Sequence, residues 1–361
     1  MEIKTPTLLV DKVRCLKNID RMVNKANASN ATLRPHFKTH FSGEIGNWFK
    51  SKGVNSCTVS SVSMAQYFAD HGWEDITIAF PYNLLEASEI NELAKKVELN
   101  ILIESEESLD HAKSHVTNPI GYFIKIDIGT HRTGIDPRNE QLIDKLVNKA
   151  SEKHIFKGFL AHAGHTYGST DYESVKWIYD KSVKDLAHLK ETFGGILSYG
   201  DTPSCSLVED LSAFDELRPG NFVFYDWMQH NIGSCSAEDI AVCLACPVVA
   251  VHKDRNEVVV YGGGVHLSKD MIIEKDIMGK DRTCYGKMVK LENGGWNTEI
   301  LGHVDRLSQE HGIIKLAENA LAHVKVGDVI GILPVHSCLT ADLQGFYLST
   351  DGEKIEKMLK N

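Results

Sequence analysis

Residues 121–163, GYFIKIDIGTHRTGIDPRNEQLIDKLVNKASEKHIFKGFLAHA, contain one strand–helix–strand unit in a single stretch of sequence. The runs GYFIKIDI (121–128) and FKGFLAHA (156–163) are short and apolar, as buried strands are. Between them, NEQLIDKLVNKASEK (139–153) has its apolar residues at helical spacing. This order predicts two parallel strands joined by a crossover helix.

The same alternation extends in both directions from this unit. Most of the strand-like runs are separated by helical spacing, and the weakest predicted helix lies between the last two. Six further runs bring the predicted count to eight: TLRPHF (32–37), VNSCTVS (54–60), DITIAF (75–80), LNILIE (99–104), GILSY (195–199) and DELRPG (215–220). Eight such units close into a (β/α)8 barrel of the TIM type. An open doubly wound sheet is the alternative, but no G-x-G-x-x-G motif follows the first strand.

The pattern changes after about residue 236, where short strand-like runs alternate with turn signals. Examples are IAVCLACPVVAVH (240–252) and VGDVIGILPVHSC (326–338). We therefore predict an α/β chain with a barrel over residues 11–235 and an antiparallel β domain over residues 236–361. The run TPTLLV precedes the first helix, so a strand within residues 1–10 is expected to join the β domain.

Composition and charge exclude several classes of protein. The net charge of −10 argues against nucleic acid as a partner, because phosphate binding needs a basic face. The N-terminus MEIKTPTLLVDKV lacks the apolar run and small-residue cleavage site of a signal peptide. No stretch approaches the roughly 20 apolar residues that span a membrane. We therefore expect a cytoplasmic protein.

The cysteines are expected to be reduced thiols. Eight are scattered along the chain, and disulfides are rare in cytoplasmic proteins of this size. Cys243 and Cys246 form a C-x-x-C, which can indicate a redox or zinc site. They lie in a strand-like run, however, where residues three apart point to opposite faces. A structural role is therefore the favoured interpretation.

Polar residues follow the predicted strand ends, which is where barrels of this type place their chemistry. Lys38 follows the first strand in the segment RPHFKTH (34–40). Burial and the neighbouring cations Arg34, His36 and His40 would lower the pKa of Lys38. Schiff-base chemistry requires such a neutral amine. The alternative interpretation is an ordinary surface lysine.

The loops after strands seven and eight form the usual phosphate site of such barrels. Here they supply Gly200, Thr202, Gly220 and Asn221. Glycine allows main-chain N–H groups to approach an anion, and Thr202 adds a hydroxyl donor. Two ordinary turns are the alternative interpretation. Arg132, in KIDIGTHRTG (125–134), is either a salt-bridged loop residue or a contact to a cofactor hydroxyl or ring nitrogen.

His336 and Cys338 form an H-x-C pair in LPVHSCLTADL (333–343). Two residues apart on a strand, their side chains would share one face. Imidazole and thiolate suit zinc, and fewer than four protein ligands would leave the site open for substrate. A single H-x-C is a weak motif when taken alone.

Several of these segments together resemble a known family. They are TPTLLVDKVRCLKNIDRM (5–22), LRPHFKTH (33–40), KIDIGTHRTG (125–134), AHAGHTYG (161–168), SYGDTPS (198–204), ELRPGNFVFYD (216–226) and PVHSCLTADL (334–343). In order and over nearly the whole chain they resemble the D-threonine aldolase / D-serine dehydratase family. Its members are fold type III pyridoxal-phosphate enzymes related to alanine racemase. One departure is His266, which stands where many members have a lysine.

The resemblance implies pyridoxal 5'-phosphate as cofactor, bound through a Schiff base to Lys38. It implies a homodimer and a divalent metal, with zinc favoured over manganese or magnesium. It also implies phosphate contacts from Thr202, Gly220 and Asn221, a cofactor contact from Tyr167, Arg132 beside the cofactor ring, and His336 and Cys338 as metal ligands.

The implied substrates are D-3-hydroxy amino acids of the D-serine, D-threonine or 3-hydroxyaspartate type. Two lyase outcomes remain open: dehydration to a 2-oxo acid plus ammonia, and retro-aldol cleavage to glycine plus an aldehyde. Lys38 is the expected base at the substrate Cα, and His162 or His165 the candidate base at its hydroxyl. A racemase of the same fold would need a second base and no metal. A non-catalytic pyridoxal-phosphate protein would resemble small members of the fold that lack the β domain.

Overall fold

The computed structural model describes residues 2–276, 278–292, 294–317 and 320–359, so the predicted domain ranges also include residues outside this description. The chain divides into two compact units, Ile19–Gly220 and the combined segments Met1–Asn18 and Asn221–Asn361. The predicted domain boundaries, at residues 10/11 and 235/236, stay a prediction, since compactness divides the chain at other points.

Eight parallel strands form the sheet of the first unit, and each of the eight predicted runs overlaps one of them. After β1 (Thr7–Val10) of the other unit, they are β2 (Thr32–Leu33), β3 (Ser56–Val59), β4 (Asp75–Pro81), β5 (Glu98–Ile103), β6 (Ile120–Ile126), β7 (His154–Ala161), β8 (Ile196–Tyr199) and β9 (Glu216–Leu217). They pair in the order β2-β9-β8-β7-β6-β5-β4-β3. A single parallel bridge between His36 and Thr58 joins the two edges. The sheet is thus a nearly closed barrel, which confirms the predicted (β/α)8 class.

Helices follow most of these strands. They are α1 (Lys12–Ala28), which precedes β2, then α2 (Gly43–Lys50), α3 (Val62–Asp70), α4 (Ala87–Leu93), α5 (Glu106–His115), α6 (Glu140–Asn148), α7 (Tyr172–Phe193) and α8 (Thr202–Leu207). Ser42, Ser61, Ser105 and Asp171 each accept an N–H of the first helical turn, which fixes where α2, α3, α5 and α7 begin. The weakly predicted connection between the last two barrel strands contains α8, with only six residues.

The second unit is built on antiparallel strands, as predicted. Its further elements are α9 (Trp227–Ile232), β10 (Val242–His252), β11 (Glu257–Tyr261), α10 (Gly264–Leu267), β12 (Ile272–Lys275), β13 (Asp281–Cys284), β14 (Gly286–Val289), β15 (Leu291–Glu292), β16 (Gly295–Trp296), β17 (Gly302–Leu307), β18 (His311–Leu316), β19 (Val329–Pro334), α11 (Ser337–Asp342), β20 (Phe346–Ser349) and β21 (Lys354–Glu356). The order β11-β18-β17-β14-β19-β10 closes on itself through the pairing of β10 with β11.

The N-terminal strand joins this closed sheet, as predicted. β1 pairs antiparallel with β10, where Leu9 lies opposite Cys243, and parallel with β20. Cys243 and Cys246 both lie in β10 as free thiols with 0% exposure. The side-chain sulfurs approach different glycines, Gly331 and Gly262 respectively, which supports the structural interpretation of this C-x-x-C. Within the described ranges, no helix combines the length and apolarity needed to cross a membrane.

Candidate active site

Lys38 lies just beyond the first barrel strand, in a short 3-10 helix, Phe37–Thr39. The prediction that the strand continues to Phe37 was wrong, because ladder pairing ends at Leu33. The chain then runs on in extended form, held by the His36 N–H donating to Pro219 O at 2.9 Å. Phe37 and Thr39 are fully buried, whereas the Lys38 side chain is exposed. Its two neighbours therefore fix the main chain while the Lys38 side chain stays accessible, so the burial predicted for Lys38 was wrong.

Two neutral histidines share one electrostatic environment with Lys38. Burial is the largest cause that lowers the pKa of His36 well below its usual value, and the charges of Lys38, Arg218 and Arg132 lower it further. Burial also lowers the pKa of His162 to about 3. The same three cations lower it further, whereas a hydrogen bond to Gly200 O raises it. Lys38 and Arg132, both predicted from the sequence, are thereby brought into one cluster.

His162 and His165 were the candidate bases for a hydroxyl proton. His162 Nδ1 lies 2.6 Å from Gly200 O, and since a carbonyl only accepts, this nitrogen is protonated. The Nε2 atom of this neutral ring then carries a lone pair. His165 Nδ1 lies 3.2 Å from Thr130 Oγ1, and burial lowers the pKa of His165. Both rings are therefore neutral near pH 7.

Arg218 is a functional candidate that the sequence reasoning missed. It is 4% exposed, with Nε donating to Ser198 Oγ at 2.6 Å and Nη2 donating to Ala161 O at 2.5 Å. Burial lowers its pKa to about 10, so it remains a cation. The available signal was the alternation of Glu216 and Arg218 on the last strand, since residues two apart point to the same side.

Lys125 was missed as well. It lies on β6, is 6% exposed, and donates to Ile126 O at 2.8 Å. Burial lowers its pKa to about 7, and the charges of Arg218 and Arg132 act in the same direction. Its place in an otherwise apolar strand was the signal that could have found it. Four basic side chains, Lys38, Lys125, Arg132 and Arg218, therefore belong to one rim.

The predicted phosphate loop contains an unsatisfied donor. Thr202 Oγ1 is buried and has no hydrogen-bond partner among the described residues. Asp201 fixes this loop, because its carboxylate accepts the Ser204 N–H at 2.7 Å and the Thr166 hydroxyl at 2.9 Å. Thr166 directly precedes Tyr167, the residue predicted to contact the cofactor. The hydrogen bond from Thr166 to Asp201 therefore links the Tyr167 segment to the phosphate loop. An orphaned hydroxyl beside a cationic rim fits the phosphate of pyridoxal phosphate.

The glycines of these loops are required by close packing. A Cβ on Gly200 would lie 2.6 Å from the main chain of Arg218. A Cβ on Gly220 would lie 2.7 Å from His36 O and 3.1 Å from Thr39 Oγ1. Gly220 thus allows the last barrel strand to pass directly against the segment that bears Lys38.

The second unit brings His336 and Cys338 together, but not on a strand. β19 ends at Pro334, His336 is the N-cap of α11, and Cys338 lies in its first turn. The prediction of a shared strand face was therefore wrong, and the helix start replaces it. Burial opposes protonation of His336, yet hydrogen bonds to Asp270 and Cys338 and the charge of Asp226 raise its pKa to about 11, so metal binding would displace one ring proton.

Asp270 and Asp226 were not found from the sequence. His336 Nδ1 donates to Asp270 Oδ2 at 2.5 Å, an arrangement that leaves the other ring nitrogen for a metal ion. Within the described ranges, no group of three or more His, Cys, Asp or Glu side chains is arranged around one ion position. The donor set of imidazole and thiolate nevertheless fits an open zinc site whose remaining positions are filled by non-protein ligands.

Asn221 was predicted to contact phosphate, and its side-chain amide contacts Asp226. Asn221 Nδ2 donates to Asp226 Oδ2 at 2.6 Å and lies 3.6 Å from Cys338 Sγ. The amide therefore belongs to the surroundings of the H-x-C pair. Its main-chain N–H is the group that remains as a candidate phosphate donor.

Comparison with known proteins adds family matches over most of the chain. The family model described as alanine racemase, N-terminal domain, matches residues 10–226. The model described as putative serine dehydratase domain matches residues 241–350.

Similar proteins span nearly the same length. D-serine dehydratase of Dictyostelium discoideum is 29% identical over 403 residues, covering 99% of this chain and 97% of that protein. D-threo-3-hydroxyaspartate dehydratase of Delftia sp. (strain HT23) is 25% identical over 358 residues, covering 94% of this chain and 92% of that protein. The solved structure of the Delftia dehydratase has a TM-score of 0.88 at 24% identity, covering 99% of this chain and 98% of that one. A cysteine-to-alanine variant of a dehydratase with this name was solved in a metal-free form.

Proposed function

Because the chain belongs to the alanine racemase N-terminal domain family, we propose that it is a pyridoxal-phosphate-dependent lyase acting on D-3-hydroxy amino acids. The observation that carries this proposal is the convergence of Lys38, Arg132 and Arg218 on two neutral histidines, with Lys125 near Arg132 and Arg218. Such a rim attracts a ligand with phosphate and carboxylate groups.

The cofactor site is assembled from the strand ends. Lys38 would bind pyridoxal 5'-phosphate covalently, and Thr202 Oγ1, Gly220 and the Asn221 N–H would receive its phosphate. Tyr167 and Arg132 would contact the remainder. The bound cofactor supplies an electron sink for negative charge at the substrate Cα.

The protein's own groups would move the protons. The Lys38 amine is the proposed acceptor of the Cα proton of the substrate. The neutral His162 and His165 rings are candidates to move a proton at the substrate hydroxyl, and the pKa of about 3 makes His162 a weak base in this role. Arg132 and Arg218 would attract the substrate carboxylate by charge.

His336 and Cys338 would bind the divalent ion, with zinc favoured by their chemistry and manganese or magnesium as alternatives. Asp270 orients the His336 ring for this role. The bound ion supplies Lewis-acid chemistry at the β-hydroxyl group. We propose dehydration as the main outcome, supported by the similarity to dehydratases along both units. Retro-aldol cleavage is the alternative outcome of the same chemistry.

The test is to incubate the chain, loaded with pyridoxal phosphate and zinc, with D-serine, D-threonine and D-3-hydroxyaspartate. The 2-oxo acid, glycine and racemised product are assayed separately. We expect 2-oxo acid, lost with Lys38→Ala or a chelator and restored by zinc or manganese. Lys153→Ala, at an exposed lysine of the same unit, should leave it unchanged. Racemised product alone, or full activity in metal-free protein, would contradict the proposal.

We further propose a homodimer as the active assembly, on the basis of the family resemblance. Size-exclusion chromatography with light scattering measures this directly. A fully active monomer would contradict it.

A further inference from the structure

Ser337, between the two proposed metal ligands, is held by a buried carboxylate. It is 0% exposed, and its main-chain N–H donates to Asp226 Oδ2 at 2.9 Å. Its hydroxyl lies 3.2 Å from the same oxygen. One carboxylate oxygen therefore fixes the turn from which both His336 and Cys338 project.

Asp226 is itself fixed in position. It is 1% exposed and is the N-cap of α9, where its Oδ1 accepts the Gln229 N–H at 2.9 Å. An N-cap carboxylate is held by the helix that it begins, so its second oxygen points in a defined direction. The His336–Cys338 turn is thereby held against the start of a helix.

The Asn221 amide stands beside both Asp226 and the sulfur. Nδ2 donates to Asp226 Oδ2 at 2.6 Å, lies 3.0 Å from Ser337 Oγ, and lies 3.6 Å from Cys338 Sγ. An amide nitrogen has two hydrogens, so the one not used by Asp226 faces the hydroxyl and the sulfur. The reverse amide orientation would place two oxygens against each other. Asn221 Oδ1 is buried and has no partner within the described part of the chain.

We propose that Asp226 and Asn221 are positioning residues for the metal pair. Asp226 fixes the His336-Ser337-Cys338 turn, and Asn221 donates an N–H to the Cys338 thiolate. A metal-binding thiolate and Asp226 are both anions, and the amide N–H groups between them offset their repulsion. This inference rests on the proposed function, because it assumes that the pair binds a divalent ion.

The isosteric change Asn221→Asp replaces the amide N–H donor with a carboxylate oxygen. This oxygen would face two other acceptors, Asp226 Oδ2 and the Cys338 sulfur. The change Asp226→Asn removes the charge that holds Ser337. Partners that orient metal ligands typically contribute about 10- to 100-fold in metal affinity, and we expect losses of this size. Asn221→Ala removes the amide without adding charge and serves as a further variant if Asn221→Asp does not fold.

Asp239 offers a matched control in the same unit. It is 6% exposed, and its Oδ2 accepts the Ser236 N–H at 2.9 Å and the Ser236 hydroxyl at 2.8 Å. Asp239→Asn therefore disrupts a similar capping interaction of a buried aspartate without touching His336 or Cys338. The zinc affinity of Asp239→Asn should stay within about twofold of that of the unmodified protein, because the surroundings of His336 and Cys338 are unchanged.

The experiment measures zinc affinity of the full chain by competition with a chromogenic chelator. In parallel, cobalt(II) replaces zinc, and its thiolate charge-transfer band reports the cobalt–sulfur bond. We expect weaker zinc binding and an altered band in the Asn221 and Asp226 variants, with Asp239→Asn unaffected. A purely structural role would change thermal stability without changing this band.

Two failures are distinguishable. If the unmodified protein binds zinc no better than His336→Ala does, the metal part of the proposed function is wrong. If it binds zinc through this pair, but Asn221→Ala and Asp226→Asn bind it equally tightly with the same cobalt band, the positioning role alone is overturned.

Discussion

Replacing Gly220 with alanine tests whether the last barrel strand positions the segment that bears Lys38. The new Cβ would lie 2.7 Å from His36 O, while an ordinary contact begins near 3.4 Å, so His36 must retreat by about 0.7 Å. The obstacle is main chain, which cannot rotate away as a side-chain end can. Overpacking of this kind costs about 1–3 kcal/mol of unfolding free energy. A displacement near 1 Å in a catalytic segment can cost ~100-fold in rate, so we expect at least tenfold here.

Urea denaturation of the cofactor-free protein measures the stability loss, and the 2-oxo acid assay with the visible absorbance of bound cofactor measures the functional loss. Gly168→Ala is the matched control, because its Cβ would meet nothing within 4 Å and the residue lies in the loop that contains Tyr167. It should change stability by less than about 0.5 kcal/mol. Wild-type cofactor loading and turnover in folded Gly220→Ala would refute the positioning argument.

Three further outcomes are expected. Thr202→Ala should weaken binding of pyridoxal phosphate by roughly tenfold in a cofactor titration, whereas Thr202→Ser keeps the hydroxyl and should restore it. Burial lowers the pKa of His40 from 6.5 to about 3. Below pH 6.5, His40 therefore binds a proton in the unfolded chain but not in the folded chain. Its contribution should therefore reduce the unfolding free energy by about 2 kcal/mol between pH 6.5 and 5, and His40→Gln should remove that share of the dependence, while His36 and His162 keep theirs. Replacing Cys243 and Cys246 with alanine should leave activity and zinc content unchanged, and loss of zinc would restore the metal interpretation of that motif.

The barrel was predictable because its strands are short buried runs separated by helical spacing. The pattern could not fix where each ladder ends. Thr32 and Leu33 pair with β9, yet the chain stays extended to His36 without ladder pairing, and extended residues look alike in sequence. Lys38 was therefore placed at the correct end of the barrel but in the wrong local structure.

The H-x-C pair shows the opposite case. His336 and Cys338 were correctly predicted to lie close together, but the reason given was a shared strand face. The strand ends at Pro334 and a helix begins at Ser337, so that reason does not apply. Asp270 and Asp226 lie 66 and 111 residues from their partners His336 and Ser337. Contacts over such separations depend on the fold and leave no spacing pattern in a single sequence.

The charge distribution along the barrel explains why one end is suited to an anionic ligand. Arg34 is buried, but Asp75 and Glu216 each accept from it at 2.6 Å, so its charge is compensated. Arg218 and Lys125 are equally buried, and within the described residues they donate to hydroxyl and carbonyl groups rather than to a carboxylate. Glu216 acts on Arg218 by charge, as Asp127 and Glu104 act on Lys125, but burial still lowers both pKa values, and a bound phosphate or carboxylate would stabilise the charged forms further. Binding of a ligand with a phosphate or carboxylate group should therefore raise the free energy of unfolding of the chain.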